Sequence, residues 1–91
     1  MAAAKQTVTI VNKRGLHARA SAKFVGAAAL MDGTTIKVSK DGASAGGTSI
    51  LGLMMLGAAK GDIIEIAAEG ENAESRLNEL VALVKSGFGE D

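Results

Sequence analysis

The sequence predicts an α+β fold: an open-faced β-sandwich in which a four-stranded antiparallel sheet is covered on one face by three helices, in the order β-α-β-β-α-β-α. Three observations lead there. Several short segments alternate apolar and polar side chains with a period of two, so each strand has one wet face, which an antiparallel sheet tolerates and a parallel one does not. Three other segments carry apolar residues at helical spacing. The first strand, helix and strand match a split β-α-β arrangement. The chain has 91 residues and 47% hydrophobic composition, but 17 of those residues are Ala; the larger apolar side chains suffice for one thin core and for no bulky cofactor cavity. A single domain over residues 1–91 is expected, its core at about 6–86.

Gln6 to Asn12 is the first strand, with Val8 and Ile10 on one side and Thr7 and Thr9 on the other. Arg14-Gly15 punctuates it. Ala18 to Leu30 is Ala-rich, lacks Pro, and has one interior β-branched residue, so it reads as a helix with Phe24, Val25 and Leu30 as its large buried anchors. Asp32-Gly33 turns the chain into a strand at Thr35–Ser39, and Asp41-Gly42 is a hairpin signal leading to a weaker strand at Ala43–Ala45. Gly46-Gly47 breaks it. Thr48-Ser49 offers an N-cap for a short apolar helix, Ile50–Leu56, closed by Gly57. Lys60-Gly61-Asp62 turns into a strand at Ile63–Glu69, where Ile64, Ile66 and Ala68 oppose Glu65, Ala67 and Glu69. Asn72 is placed to cap a last helix from Ala73 to about Ser86, and Gly87 to Asp91 is expected to fray.

Composition excludes several classes of function. Cys, Trp, Tyr and Pro are absent, so there is no disulfide framework and no thiolate metal site; one His and ten scattered carboxylates argue against a dedicated metal centre. The longest near-apolar run, Ile50 to Ala59, is too short to cross a bilayer, and Met1 to Gln6 holds no signal-length apolar stretch. A cytoplasmic chain without membrane insertion is expected. Net charge is zero, yet residues 1–40 carry seven Lys/Arg against Asp32 alone, and residues 41–91 carry three against nine acids. Lys13, Arg14, Arg19 and Lys23 fall in one acid-free stretch that suits phosphate or an acidic protein face, and equally suits a solvated surface. Stacking aromatics and excess positive charge are missing, so nucleic acid is not the expected partner.

His17 is the only His, and it stands where a loop becomes the first turn of a helix, with Arg19 two residues on. A helix start offers unpaired N–H groups and a positive dipole end, and a nearby guanidinium adds a planar phosphate ligand. Such positive surroundings favour the neutral imidazole, whose lone pair is a nucleophile. On spacing alone, a plain surface His beside an Arg is the competing reading. No GxxxxGK[ST] motif follows Gly46-Gly47, so the chain is not expected to use ATP or another cofactor; a phosphoryl group would have to come from another protein.

The stretch Gly15-Leu16-His17-Ala18-Arg19-Ala20-Ser21-Ala22-Lys23-Phe24-Val25 resembles the phosphohistidine signature of HPr, the histidine-containing phosphocarrier family of the bacterial phosphoenolpyruvate-dependent phosphotransferase system. A second block, Thr48-Ser49-Ile50-Leu51-Gly52-Leu53-Met54-Met55-Leu56-Gly57, resembles that family's regulatory-serine region. The resemblance implies that His17 accepts phosphate on Nδ1 from enzyme I and passes it to an enzyme IIA domain, with Arg19 assisting. It implies that Ser49 is the site of a dedicated serine kinase/phosphorylase. It implies a docking surface made of Lys13, Arg14, Ala20, Lys23, Leu51, Met54 and Met55, and at least one of Leu51, Met54 and Met55 should face solvent. The chain is then a transferase component and not a stand-alone enzyme.

Three departures from the family pattern stand out. Ala20 replaces the usual Pro, which leaves the helix intact and loosens its entry. One extra residue separates His17 from Ser49, placed near Met31–Gly33, and Thr48 replaces a commonly basic residue. A regulatory paralogue of the nitrogen-type branch, acting by binding partner proteins, is the alternative reading. An acylphosphatase-like enzyme is a weaker one, because its G-x-V-Q-G-V-x-F-R loop is missing.

Overall fold

The structure, a computed structural model, describes residues 2–90. Its elements are β1 (Ala3–Thr9), α1 (Ala18–Ala29), β2 (Thr34–Lys40), β3 (Ala43–Gly46), α2 (Ile50–Met55), β4 (Ile63–Gly70) and α3 (Ala73–Lys85), followed by a 3-10 turn at Gly87–Gly89. This is the expected element order. The sheet runs β1-β4-β2-β3 with every neighbour antiparallel, so β4 inserts between the two strands joined by α1 and splits that β-α-β unit.

One face of the sheet is apolar over its central part because the side chains alternate: Val8, Ile36, Val38, Ile64, Ile66 and Ala68 all point into the core, and polar Gln6 and Lys40 stand on the same face at the strand ends and edge. The helices cover that face with Ala20, Phe24 and Ala28 of α1, Leu53 of α2, and Ala73, Leu77, Leu80, Val81 and Val84 of α3. The opposite face stays polar. There Lys5 and Lys37 both pair with Ala67, so each lies diagonal to Glu65 and Glu69. The basic and acidic halves of the chain are thereby interleaved in the sheet. Asp41 (φ 50) and Gly42 (φ 86) make the tight turn of the β2–β3 hairpin, both in the left-handed region that a primed turn requires. No helix among the described residues is long and apolar enough to cross a membrane.

Three local expectations are corrected. Leu30 is not a buried anchor but 81% exposed, because the buried positions of α1 recur at Ala20, Phe24 and Ala28 and Leu30 falls across the helix from that stripe. Met31, one residue on, is buried instead. Asn72 does not cap α3 with its side chain; its backbone is left-handed (φ 53), and what it contributes is its carbonyl, which accepts from Arg76 N–H at 3.0 Å.

The third correction concerns Gly87–Glu90, which does not fray; Asp91 lies outside the described residues. Phe88 is 1% exposed and packs in the core, although its backbone (φ 58) is left-handed, as are Gly87 and Gly89 on either side. A left-handed non-glycine residue costs roughly 1–2 kcal/mol, which burial of a phenyl side chain, worth about 1.5–3 kcal/mol, offsets. The Lys23 ammonium donates to the Phe88 carbonyl at 2.7 Å and secures the turn. Phe88→Ala is therefore expected to lower unfolding free energy by about 3–5 kcal/mol in urea titration, whereas a fraying segment would leave it unchanged.

Candidate functional site

The loop between β1 and α1 is short and tightly held. Gly15 has φ +62, and a β-carbon there would collide with the Ala58 carbonyl, so the position needs glycine twice over. The next residue, Leu16, is buried and donates its N–H to that same carbonyl at 3.0 Å. These contacts fasten the loop to the chain just beyond α2. Inside α1, buried Ser21 donates its hydroxyl to Leu16 O at 3.2 Å and its N–H to His17 O at 2.9 Å.

His17 is itself the N-cap of α1, in extended backbone conformation (φ −75, ψ −179). Its Nδ1 accepts from the Arg19 N–H at 3.3 Å, a role more often taken by a Ser or Asp oxygen. Its Nε2 lies 2.7 Å from Glu90 Oε2, and His17 and Glu90 are both only partly exposed. The other carboxylate oxygen of Glu90 accepts from Asn12 Nδ2 at 3.0 Å, and the same amide donates to Gly15 O at 2.9 Å. Asn12 is buried, and its Oδ1 has no partner among the described residues. The reverse amide orientation would set that oxygen against two acceptors, so the network dictates which end faces the site.

Partial burial works against the charge on Glu90. The hydrogen bonds from Asn12 and His17, with electrostatic attraction from the His17 ring and the Lys23 ammonium, outweigh it and hold the carboxyl below its ordinary range. The wholly positive surroundings expected for His17 are thus broken by one carboxylate delivered from the far end of the chain.

Lys13, Arg14, Arg19 and Lys23, grouped in one acid-free stretch of sequence, also converge in space: with Gly89 and Glu90 they line a pocket of about 370 Å³. Lys23 has a structural duty as well, in its bond to Phe88. Ala20 is a correction: it is fully buried, turned inward on the α1 stripe, and offers no docking surface. On α2 the apolar residues divide. Leu53 is buried, while Leu51 (68%), Met55 (77%) and Met54 (40%) are exposed, a contiguous apolar patch on a six-residue helix. Ser49 is exposed and caps α2, accepting the Gly52 N–H on Oγ at 2.9 Å.

Sequence reasoning missed Asn12, Ser21 and Glu90. A signal for Glu90 was present: one of only two Phe residues, flanked by glycines, sits two positions before it, and a lone aromatic in a polar terminal stretch is a burial signal.

The downward shift of Glu90 gives a pH dependence with a definite sign. A carboxyl held below its ordinary range stabilises its contacts fully above that range, and the contribution is lost as pH falls through it. Amide-exchange protection factors at Gly89 and Glu90, whose N–H groups bond Ser86 O and Gly87 O, are expected to fall on acidification in the wild type. In Glu90→Gln, which has no group to titrate, they should stay level.

Comparison with known proteins identifies the family. A protein-family profile described as "PTS HPr component phosphorylation site" matches residues 4–86. The phosphocarrier protein HPr of Neisseria meningitidis serogroup A is 43% identical over 86 residues, covering 94% of this chain and 96% of that one. The phosphocarrier protein NPr of Escherichia coli K12 is 40% identical over 87 residues, covering 96% and 97%. Among solved structures, HPr-C-His from Thermoanaerobacter tengcongensis superposes with a TM-score of 0.90 at 40% identity, covering 97% of this chain and 98% of its own. The chain belongs to the HPr family of phosphocarrier proteins of the phosphotransferase system.

Proposed function

We propose that His17 is the phosphoryl acceptor, taking the group from phosphorylated enzyme I and passing it to an enzyme IIA domain. The observation that carries this reading is the double engagement of the imidazole. Nδ1 receives a backbone N–H and Nε2 faces a carboxylate, so the lone pair sits on Nδ1, at the positive end of α1 and on the family's phosphorylated nitrogen. In the transfer, the Nδ1 lone pair forms a bond to phosphorus while the donor's nitrogen–phosphorus bond breaks and its electrons remain with the donor ring. No water or nucleotide is consumed. The incoming oxygens meet the first-turn N–H groups of α1 and the guanidinium of Arg19, which lines the basic pocket with Lys13, Arg14 and Lys23. The same donors serve the outgoing transfer.

Partner docking is assigned to two adjoining features of different chemistry: the basic residues around His17, and the exposed Leu51, Met54 and Met55 of α2, which packs against α1. Unbranched Met side chains adapt to more than one partner surface, as a carrier with separate donor and acceptors requires. These partners place the carrier in the cytoplasm. Ser49 is the proposed regulatory site. A phosphate there adds about −1.5 to −2 charge at a helix start, which the dipole tolerates, but at the edge of the docking patch it would repel an acidic partner. The similarity to NPr keeps a nitrogen-branch assignment as the second reading; the enzyme IIA that accepts the phosphate separates the two.

Incubation with enzyme I and phosphoenolpyruvate is expected to add the mass of one phosphoryl group, labile to acid and stable to alkali, and absent in His17→Ala. A stable label in His17→Ala would contradict the assignment. Arg19→Ala should keep the fold and slow transfer by on the order of 10²; equal rates would leave Arg19 as solvated surface.

Ser49→Ala should cost ~1 kcal/mol through loss of the cap alone. Ser49→Asp should melt no lower than Ser49→Ala, yet accept phosphate from enzyme I far more slowly than the wild type. A wild-type rate in Ser49→Asp would leave Ser49 a cap only.

A further inference from the structure

Three anchors bring Glu90 to His17. Phe88 is buried in the core, its carbonyl is held by the Lys23 ammonium at 2.7 Å, and Glu90 Oε1 is held by the amide of buried Asn12 at 3.0 Å. The remaining oxygen, Oε2, is then fixed 2.7 Å from His17 Nε2. An ionised carboxylate can only accept, so Nε2 must carry a proton. A backbone N–H can only donate, so Nδ1, which faces Arg19 N–H at 3.3 Å, must carry the lone pair. Two contacts from opposite ends of the chain select one tautomer, the one whose nucleophilic nitrogen faces the start of α1.

We infer that Glu90 is a positioning residue of the phosphoryl-acceptor site: its carboxylate holds the Nε2 proton of His17, keeps Nδ1 as the nucleophile, and offsets the positive charge the ring gains when Nδ1 bonds phosphorus. The inference rests on His17 as the acceptor. The chemical balance explains the need. The neutral ring with a proton on Nε2 becomes an imidazolium once Nδ1 gives its lone pair to phosphorus. That positive charge forms among four basic side chains, and among the described residues Glu90 is the carboxylate lining their pocket. It acts as the carboxylate of a serine-hydrolase triad acts on its histidine, orienting the ring and stabilising the charged form without taking the proton away. Retaining the proton on Nε2 also keeps the ring a good leaving group for the onward transfer. The segment Gly87–Glu90 thus belongs to the site, with Phe88 and Lys23 as its moorings.

Two measurements test this. In unphosphorylated protein labelled with nitrogen-15 at His17, the Nε2–H resonance should be visible and slow to exchange in the wild type and lost to exchange in Glu90→Ala. In rapid-mixing transfer from phosphorylated enzyme I, Glu90→Gln, which keeps the shape and loses the charge, should be slower by roughly tenfold to a hundredfold. That is less than the loss from neutralising a deeply buried triad carboxylate, because this pair is partly exposed to water. An unchanged backbone amide spectrum in Glu90→Gln marks the fold as intact. If the wild type takes phosphate on His17 and Glu90→Gln matches its rate, the inference is overturned while the carrier reading stands. If the Nε2–H resonance exchanges equally fast with and without Glu90, the proton is not held and the inference is overturned whatever the kinetics. If the wild type acquires no phosphate on His17, the carrier reading itself falls, and the positioning role given to Glu90 falls with it.

Discussion

The Leu16 N–H and the Ala58 carbonyl meet at 3.0 Å across a gap that only a glycine at position 15 leaves open. Through that bond the loop carrying His17 is fastened to the chain leaving α2. Its consequences run outward in both directions. Toward the sheet, Leu16 is buried and continues the core that Val8 of β1 and Ile10, just beyond it, open. Toward the surface, the chain emerges in extended conformation at His17, which caps α1 with its own ring. A nucleophile placed at an N-cap is held by backbone geometry, with less rotamer freedom to lose at each transfer. The same fastening sets the apolar patch of α2 beside the basic loop, so one partner surface can meet both.

Local costs concentrate around this site. Phe88 adopts a left-handed backbone, and Asn12 leaves a buried carbonyl oxygen without a donor, each worth on the order of 1–3 kcal/mol. Both serve the same carboxylate: Phe88 brings the chain around, and Asn12 turns its amide toward Glu90. The fold tolerates them because the one-faced sheet and the helical stripes bury most of the large apolar side chains. Val11, Leu30, Ile50 and Ile63 are exposed without a role in the site, but one cluster of exposed side chains lies on α2. Leu51, Met54 and Met55 leave apolar surface open to water on one short helix, a loss a monomer has no structural reason to carry and a docking partner can recover.

Charge is arranged on two scales. Across the sheet the basic half and the acidic half of the chain alternate, with Lys5 and Lys37 diagonal to Glu65 and Glu69, and their fields cancel at short range. Around His17 four basic side chains of the Lys13–Lys23 stretch face one carboxylate among the described residues, that of Glu90. The result is a focused positive pocket on a chain of zero net charge, suited to a phosphoryl group that must be held and then released.

Local pattern alone determined the element order, the one-sided sheet, the Asp41-Gly42 hairpin, the Ser49 cap and the placement of His17 at a helix start, because each depends on residues within a few positions of one another. Side-chain alternation is a period-two property of the strand itself, and an N-cap needs only the residues of its own first turn. Leu30 and Ala20 mark the limit: Ala20 lies on a correctly placed helix and Leu30 is its C-cap, yet which way each points was decided by where the sheet, α2 and α3 pack against α1. The strand order with β4 at the centre, the convergence of four basic residues on one pocket, and above all the arrival of Glu90 at His17 across 73 positions of chain were decided by tertiary structure. Non-local pairs leave no periodic trace in a single sequence. Phe88 between two glycines was a visible mark of burial, but what that burial brought to the imidazole existed only once the chain had closed.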